Sequence, residues 1–177
     1  MKKVLFILFA VTLLFAACGD REDKQREKLM NEIKKAEQEF VAKDFNLTLE
    51  KSQRLMNLYL NFVEKYPQDS LAPELLFCCA AVATASQQEK FAITLYQRIY
   101  DEYPNHALRP IALLEQALAY DNMGDAERAK PLYEQFLIVF PDHPYIEDVK
   151  HLLDMVDKTP EEWEQLMLQF ENQEEFQ

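Results

Sequence analysis

Apolar residues fall at helical spacing through the middle of the chain. Leu55, Leu58, Tyr59, Phe62 and Tyr66 stand at i, i+3, i+4, i+7 and i+11, and Leu132, Phe136, Val139 and Phe140 continue the theme. The pattern then recurs. Leu58-Tyr59, Leu95-Tyr96 and Leu132-Tyr133 are 37 residues apart each time, as are Tyr66-Pro67, Tyr103-Pro104 and Phe140-Pro141, with Phe62, Ile99 and Phe136 in the same phase. Leu76/Leu113, Ala80/Ala117 and Ala92/Ala129 match across the two best copies. A period of this size marks stacked supersecondary units, each unable to bury its apolar face alone. Every unit reads helix, turn, helix, turn. The first helix opens near Pro73 or Pro110, since proline fits a first helical turn, and Gly124-Asp125 ends one helix with a left-handed cap and opens the next with an N-cap. Pro131 lies inside a helical run, where the lost backbone bond costs roughly 3 kcal/mol, and predicts a kink.

Beyond the last full unit, Val149, Leu152, Leu153 and Val156 predict a further first helix. Thr159-Pro160-Glu161-Glu162 then reads as a capping box ahead of Trp163, Leu166, Met167 and Phe170. These two helices, over 145–171, seal the stack, and residues 172–177 are expected to fray.

Ala117, Tyr120, Gly124, Ala129, Tyr133, Phe136 and Pro141 reproduce the spacing that resembles the tetratricopeptide repeat. The resemblance is fullest over 110–143. The unit over 73–106 has Ala83 in place of Tyr120 and Gln87 in place of Gly124, and that over 36–69 has Lys43 and Asn46 where alanine and tyrosine are usual. The resemblance implies an all-α domain over 36–171, a right-handed superhelical solenoid of antiparallel helix pairs with about three repeats and a capping pair. The longer period, with turns such as Tyr-Pro-Asn-His-Ala-Leu-Arg-Pro, is similar to the periplasmic branch of this superfamily. That branch includes the lipoprotein of the outer-membrane β-barrel assembly machinery and the coordinator of cell-envelope constriction.

The N-terminus carries an address. Lys2 and Lys3 precede an uncharged, mostly apolar run of 14 residues over 4–17, the layout of a signal peptide. At ~1.5 Å per residue the run reaches about 21 Å as a helix, short of the ~30 Å hydrocarbon core. Ala16-Ala17-Cys18 resembles the bacterial lipobox, which implies removal of 1–17 and acylation of Cys18. Residues 18–35 then read as a lipidated N-terminus and charged tether. The implied location is the cell envelope, at the outer membrane facing the periplasm or exposed at the cell surface.

Charge and composition narrow the chemistry. A net charge of −12 argues against a nucleic-acid partner. Two glycines, Gly19 and Gly124, exclude a glycine-rich phosphate loop. Residues 142–177 hold 11 carboxylates against Lys150 and Lys158, a solvated outer face or a docking face for a basic partner. His106 and His143 are equivalent turn positions and none of the histidines, His151 included, pairs at i, i+4, so no metal site is expected. Cys78 and Cys79 are helical neighbours whose side chains diverge by about 100°, unsuited to a mutual disulfide and suited to packing against the next helix. Neither a catalytic set nor a cofactor site emerges.

The solenoid that the resemblance implies has a concave groove lined by first helices, which in this superfamily takes up segments of other proteins. Repeat phase places Glu74, Phe77, Ala81 and Thr84 there from one unit, and Ile111, Leu114, Leu118, Asp121 and Asn122 from the next. The opposing expectation is that Phe77, Leu114 and Leu118 are core. The Lys and Asn clamp for a terminal carboxylate, found in some chaperone-binding relatives, is missing. The function expected is a non-catalytic, lipid-anchored scaffold or adaptor for other envelope proteins or peptides, with outer-membrane protein assembly as one setting. The alternatives are an accessory subunit of an envelope enzyme and a small-ligand-binding lipoprotein.

Overall fold

The computed structural model describes residues 21–39, 48–156, 158 and 162. Among these residues the regular structure is entirely helical: α1 over 21–39, α2 Leu49–Lys65, α3 Ala72–Ala85, α4 Glu89–Glu102, α5 Leu108–Asn122, α6 Ala126–Val139 and α7 Ile146–Met155. The chain divides into two compact units after Gln88. Cys18, the signal segment, the tail and, apart from Glu162, the capping box over 159–162 and the whole second capping helix lie outside the described residues. No described helix is long and apolar enough to cross a membrane.

In the first unit α1 corrects two expectations, the charged tether over 18–35 and the opening of the first repeat at residue 36. Residues 21–39 are helical, and Leu29, Ile33 and Ala36 are buried at i, i+4 and i+7. Full burial of a side chain such as Ile33 is worth about 1.5–3 kcal/mol, enough to hold a charged helix on its neighbour. The helix described as pairing with α2 is therefore α1, and Lys43 and Asn46 lie outside the described residues. Polar contacts run in antiparallel order: Arg26 pairs with Asp69 and lies over the Phe62 ring at 5.6 Å, the Tyr59 hydroxyl donates to Glu37 at 2.9 Å, and Arg54 reaches Glu39 at 2.7 Å. Arg26 holds the Asp69 carboxyl below its ordinary range. α2 also packs on α3, with Met56, Phe62, Leu76 and Cys79 fully enclosed.

In the second unit α5 is sandwiched between α4 and α6, and α7 closes against α6. Gln116, 3% exposed, donates to the Ile93 carbonyl at 3.4 Å and to Gln97 at 2.9 Å, tying α4 to α5. Leu113, Ala117, Ala129, Tyr133, Phe136 and Val149 form the core, with Leu152, Leu153 and Val156 of the α7 region packed on it. α6 runs unbroken through Pro131. Pro131 and Glu127, whose carbonyl loses its acceptor role, are both exposed, so the freed oxygen lies on the solvent side of the helix.

The 37-residue period reappears as repeated hydrogen bonds. Asp69, His106 and His143 each donate their backbone N–H three residues back, to Tyr66, Tyr103 and Phe140, at 3.0, 3.1 and 3.1 Å. Each also turns its side chain onto the backbone two residues ahead. Asp69 Oδ1 accepts from Leu71, His106 Nδ1 from Leu108 and His143 Nδ1 from Tyr145, at 2.9, 3.2 and 3.2 Å. An aspartate and two histidines thus perform one task, holding the chain as it enters α3, α5 and α7.

Gln87 and Gly124 are likewise equivalent. Both are left-handed, at φ 59° and 72°. In each the next residue closes back onto the helix, Gln88 to Ala83 and Asp125 to Tyr120, both at 2.9 Å. A Cβ on Gly124 meets nothing within 4 Å, so only backbone strain opposes a side chain there. Gln87→Gly is expected to stabilise the chain by about 1 kcal/mol and Gly124→Ala to destabilise it by a similar amount, both measured as shifts in the urea midpoint.

Candidate functional site

The residues expected to line a binding face lie on α3 in the first unit and α5 in the second. On α3 the solvent side carries Glu74, Ala81 and Thr84, all exposed, with Phe77 half-buried between them. Cys78 is half-buried on the same side. Burial, with the Glu37 and Glu74 carboxylates nearby, pushes its thiol pKa up, which disfavours the nucleophilic thiolate. Cys79 points the other way, fully buried, its Sγ 3.8 Å from the Met56 carbonyl of α2. Both are free thiols. The contact described for Cys79 is with α2, the preceding helix.

On α5, neighbours on either side absorb most of the circumference. Ala112, Leu113, Gln116, Ala117 and Ala119 are buried. Ile111, Glu115 and Leu118 remain half-buried and Asn122 exposed, at i, i+4, i+7 and i+11 along one stripe.

Two of the expected residues leave the face. Leu114 is only 8% exposed and belongs to the core with Val149 and Phe136. Asp121 accepts the hydroxyl proton of Tyr133 at 3.0 Å. Tyr133 is wholly buried, and that burial, followed by the Asp121 charge, raises the phenol's pKa well above its ordinary value. Asp121 therefore satisfies a core tyrosine, as Glu37 does for Tyr59. Leu118 has a mixed position, packed at its base on the core and partly open.

Glu115 was not among the expected lining residues. The family phase selects positions 111, 114, 118, 121 and 122, whereas plain helical periodicity from Ile111 and Leu118 selects 115. Burial pushes the Glu115 carboxyl above its usual range. Among the described residues no hydrogen bond or ion pair reaches it.

No group of three or more His, Cys, Asp or Glu among the described residues is placed to hold a metal ion. The His106 and His143 ring nitrogens that face the chain are engaged with backbone.

The faces of α5 and α6 coincide with a known sequence pattern: residues 111–143 match the model of the tetratricopeptide repeat family. Over these residues the chain is similar to a tetratricopeptide repeat. Its matched stretch covers nearly all of α5, the capped Gly124 turn and α6, ending at the turn residue His143. The comparison with curated proteins finds no match. The fold is all-α and tetratricopeptide-like, built of antiparallel helix pairs. Repeats of this kind typically serve as protein-interaction scaffolds, and one side of the first helix here is left uncovered by its neighbours. In this repeat that side is the α5 stripe.

The different roles of Asp121 and Glu115 are separable. Asp121→Ala strands the buried Tyr133 hydroxyl and is expected to cost roughly 1–3 kcal/mol. Tyr133→Phe removes donor and need together, so the added loss from Asp121→Ala in that background falls below about 1 kcal/mol. Denaturant melts of the four proteins in the cycle measure it.

Proposed function

We propose that the chain is a non-catalytic protein-binding scaffold of the bacterial cell envelope, anchored by lipid on Cys18 and using the open stripes of its first helices to hold segments of other envelope proteins. One observation carries the binding part. α5 leaves Ile111 and Leu118 partly open beside Glu115 and Asn122 although the helices beside it enclose the rest of its apolar surface. An apolar stripe with a polar edge suits a helical or extended segment, whose side chains bury on the stripe while the edge sets its register.

The anchoring part rests on Lys2, Lys3, the apolar run over 4–17 and Cys18. Each acyl methylene buried in a bilayer contributes about 0.8 kcal/mol and one chain holds only marginally, so stable anchoring takes several chains on the cysteine. The outer membrane facing the periplasm is the location this reading favours, with outer-membrane protein assembly as a setting for the partners.

A photo-crosslinking residue at position 118 is expected to trap specific envelope proteins in cells, and one at Glu134, exposed on α6, to trap none of them. Leu118→Glu abolishes the adducts formed from a crosslinker at position 111 with an unchanged helical spectrum, whereas Leu114→Glu, at a core position, lowers the melting temperature. Equal adducts from positions 118 and 134, or none from either, overturn the binding face. Labelled palmitate incorporated into the chain and lost in Cys18→Ser supports the anchor; incorporation unchanged by that substitution rules it out.

A further inference from the structure

Resting on α5 as a protein-binding face, we propose that the occupant of this face is a basic amphipathic segment that sets a Lys or Arg on Glu115 between two apolar side chains. Glu115 lies in the middle of the open stripe, with Ile111 one turn before it and Leu118 one turn after. It is half-buried, and among the described residues it has no hydrogen bond or ion pair.

The next two carboxylates along the chain are engaged. Asp121 accepts from Tyr133 and Asp125 pairs with Arg128 while capping α6. The folded chain therefore carries the cost of partly dehydrating the Glu115 charge and recovers nothing for it within the described residues.

The partner's chemistry follows from what each kind of segment does to that charge. A wholly apolar segment laid on Ile111 and Leu118 drives Glu115 further from water with no compensation. An acidic one adds repulsion. A segment with a cation between two apolar residues buries the stripe and supplies the missing counter-charge together, and the exclusion of water strengthens the pair. The selection is thus made as much against the wrong segments as for the right one. The chain's net charge of −12 favours encounter with the same class of partner.

The test pans a phage-displayed library of random peptides about 12 residues long on the immobilised full chain, with Glu115→Gln, Glu115→Lys and Leu118→Glu in parallel. Peptides enriched on the unsubstituted chain are expected to carry Lys or Arg flanked by apolar residues. As synthetic peptides they bind Glu115→Gln about tenfold more weakly, a loss of about 1.4 kcal/mol, and fail on Leu118→Glu. Glu115→Lys is expected to enrich peptides with Asp or Glu at the central place. Enriched peptides that lack a cation, bind Glu115→Gln undiminished and still need Leu118 overturn the assignment of Glu115 and leave the binding face standing. Peptides enriched equally on Leu118→Glu, or no enrichment on any form, overturn the face itself and this inference with it.

Discussion

A helix hairpin of this kind exposes more apolar surface than it can cover alone, and the structure depends on covering each helix from both sides. In α5 the constraint is visible residue by residue. Ala112, Gln116 and Ala119 lie on one flank, Leu113 and Ala117 on another, and Leu114 is taken up with Val149 of α7. What remains is a strip one residue wide per turn. Small residues at 112, 117 and 119 permit close approach on the flanks, so the size of the open strip is set by packing elsewhere on the helix. A binding surface on such a scaffold is the remainder of the fold's own demand for burial, which explains why it follows the helix so regularly.

The second constraint is the turn. A stack of hairpins keeps a constant period only when every chain reversal has the same length and geometry. Here Asp69, His106 and His143 meet that need with different chemistry: a carboxylate oxygen and two imidazole nitrogens accept from the backbone two residues on. The site requires an acceptor at a particular reach, and either side chain supplies one. Histidines spaced in this way invite a metal reading from sequence, and their partners in the structure are backbone N–H groups.

The repeat period, the helix pairing and the Gly124 turn were legible because each rests on local spacing. Gln87 is instructive: the sequence offered no glycine there, yet the backbone makes the same left-handed turn, closed by the Gln88 N–H on the Ala83 carbonyl, and the residue bears the strain. α1 was misread because its charges, balanced in sign, hide a stripe of only Leu29, Ile33 and Ala36. The candidate face was half legible. Phase gave Ile111, Leu118 and Asn122 their open positions, but Leu114 and Asp121 were decided by tertiary partners, Val149 and Tyr133, that lie 35 and 12 residues away in sequence and are invisible to a repeat template.

Asp121 and Glu115 show why acidic composition alone says little about a partner. They lie on one helix, six residues apart in sequence. Asp121 is turned towards α6, where a buried phenol needs an acceptor, and its charge is committed to stability. Glu115 is on the open side, where burial disfavours its charge and nothing described in the chain offsets that effect. Exchanging their surroundings would exchange their roles. A carboxylate that stabilises the fold has met its partner within the chain, whereas one that weakens the fold while lining an open stripe favours whatever molecule completes it, and the chemistry of that molecule is fixed by the sign of the charge and the apolar residues on either side.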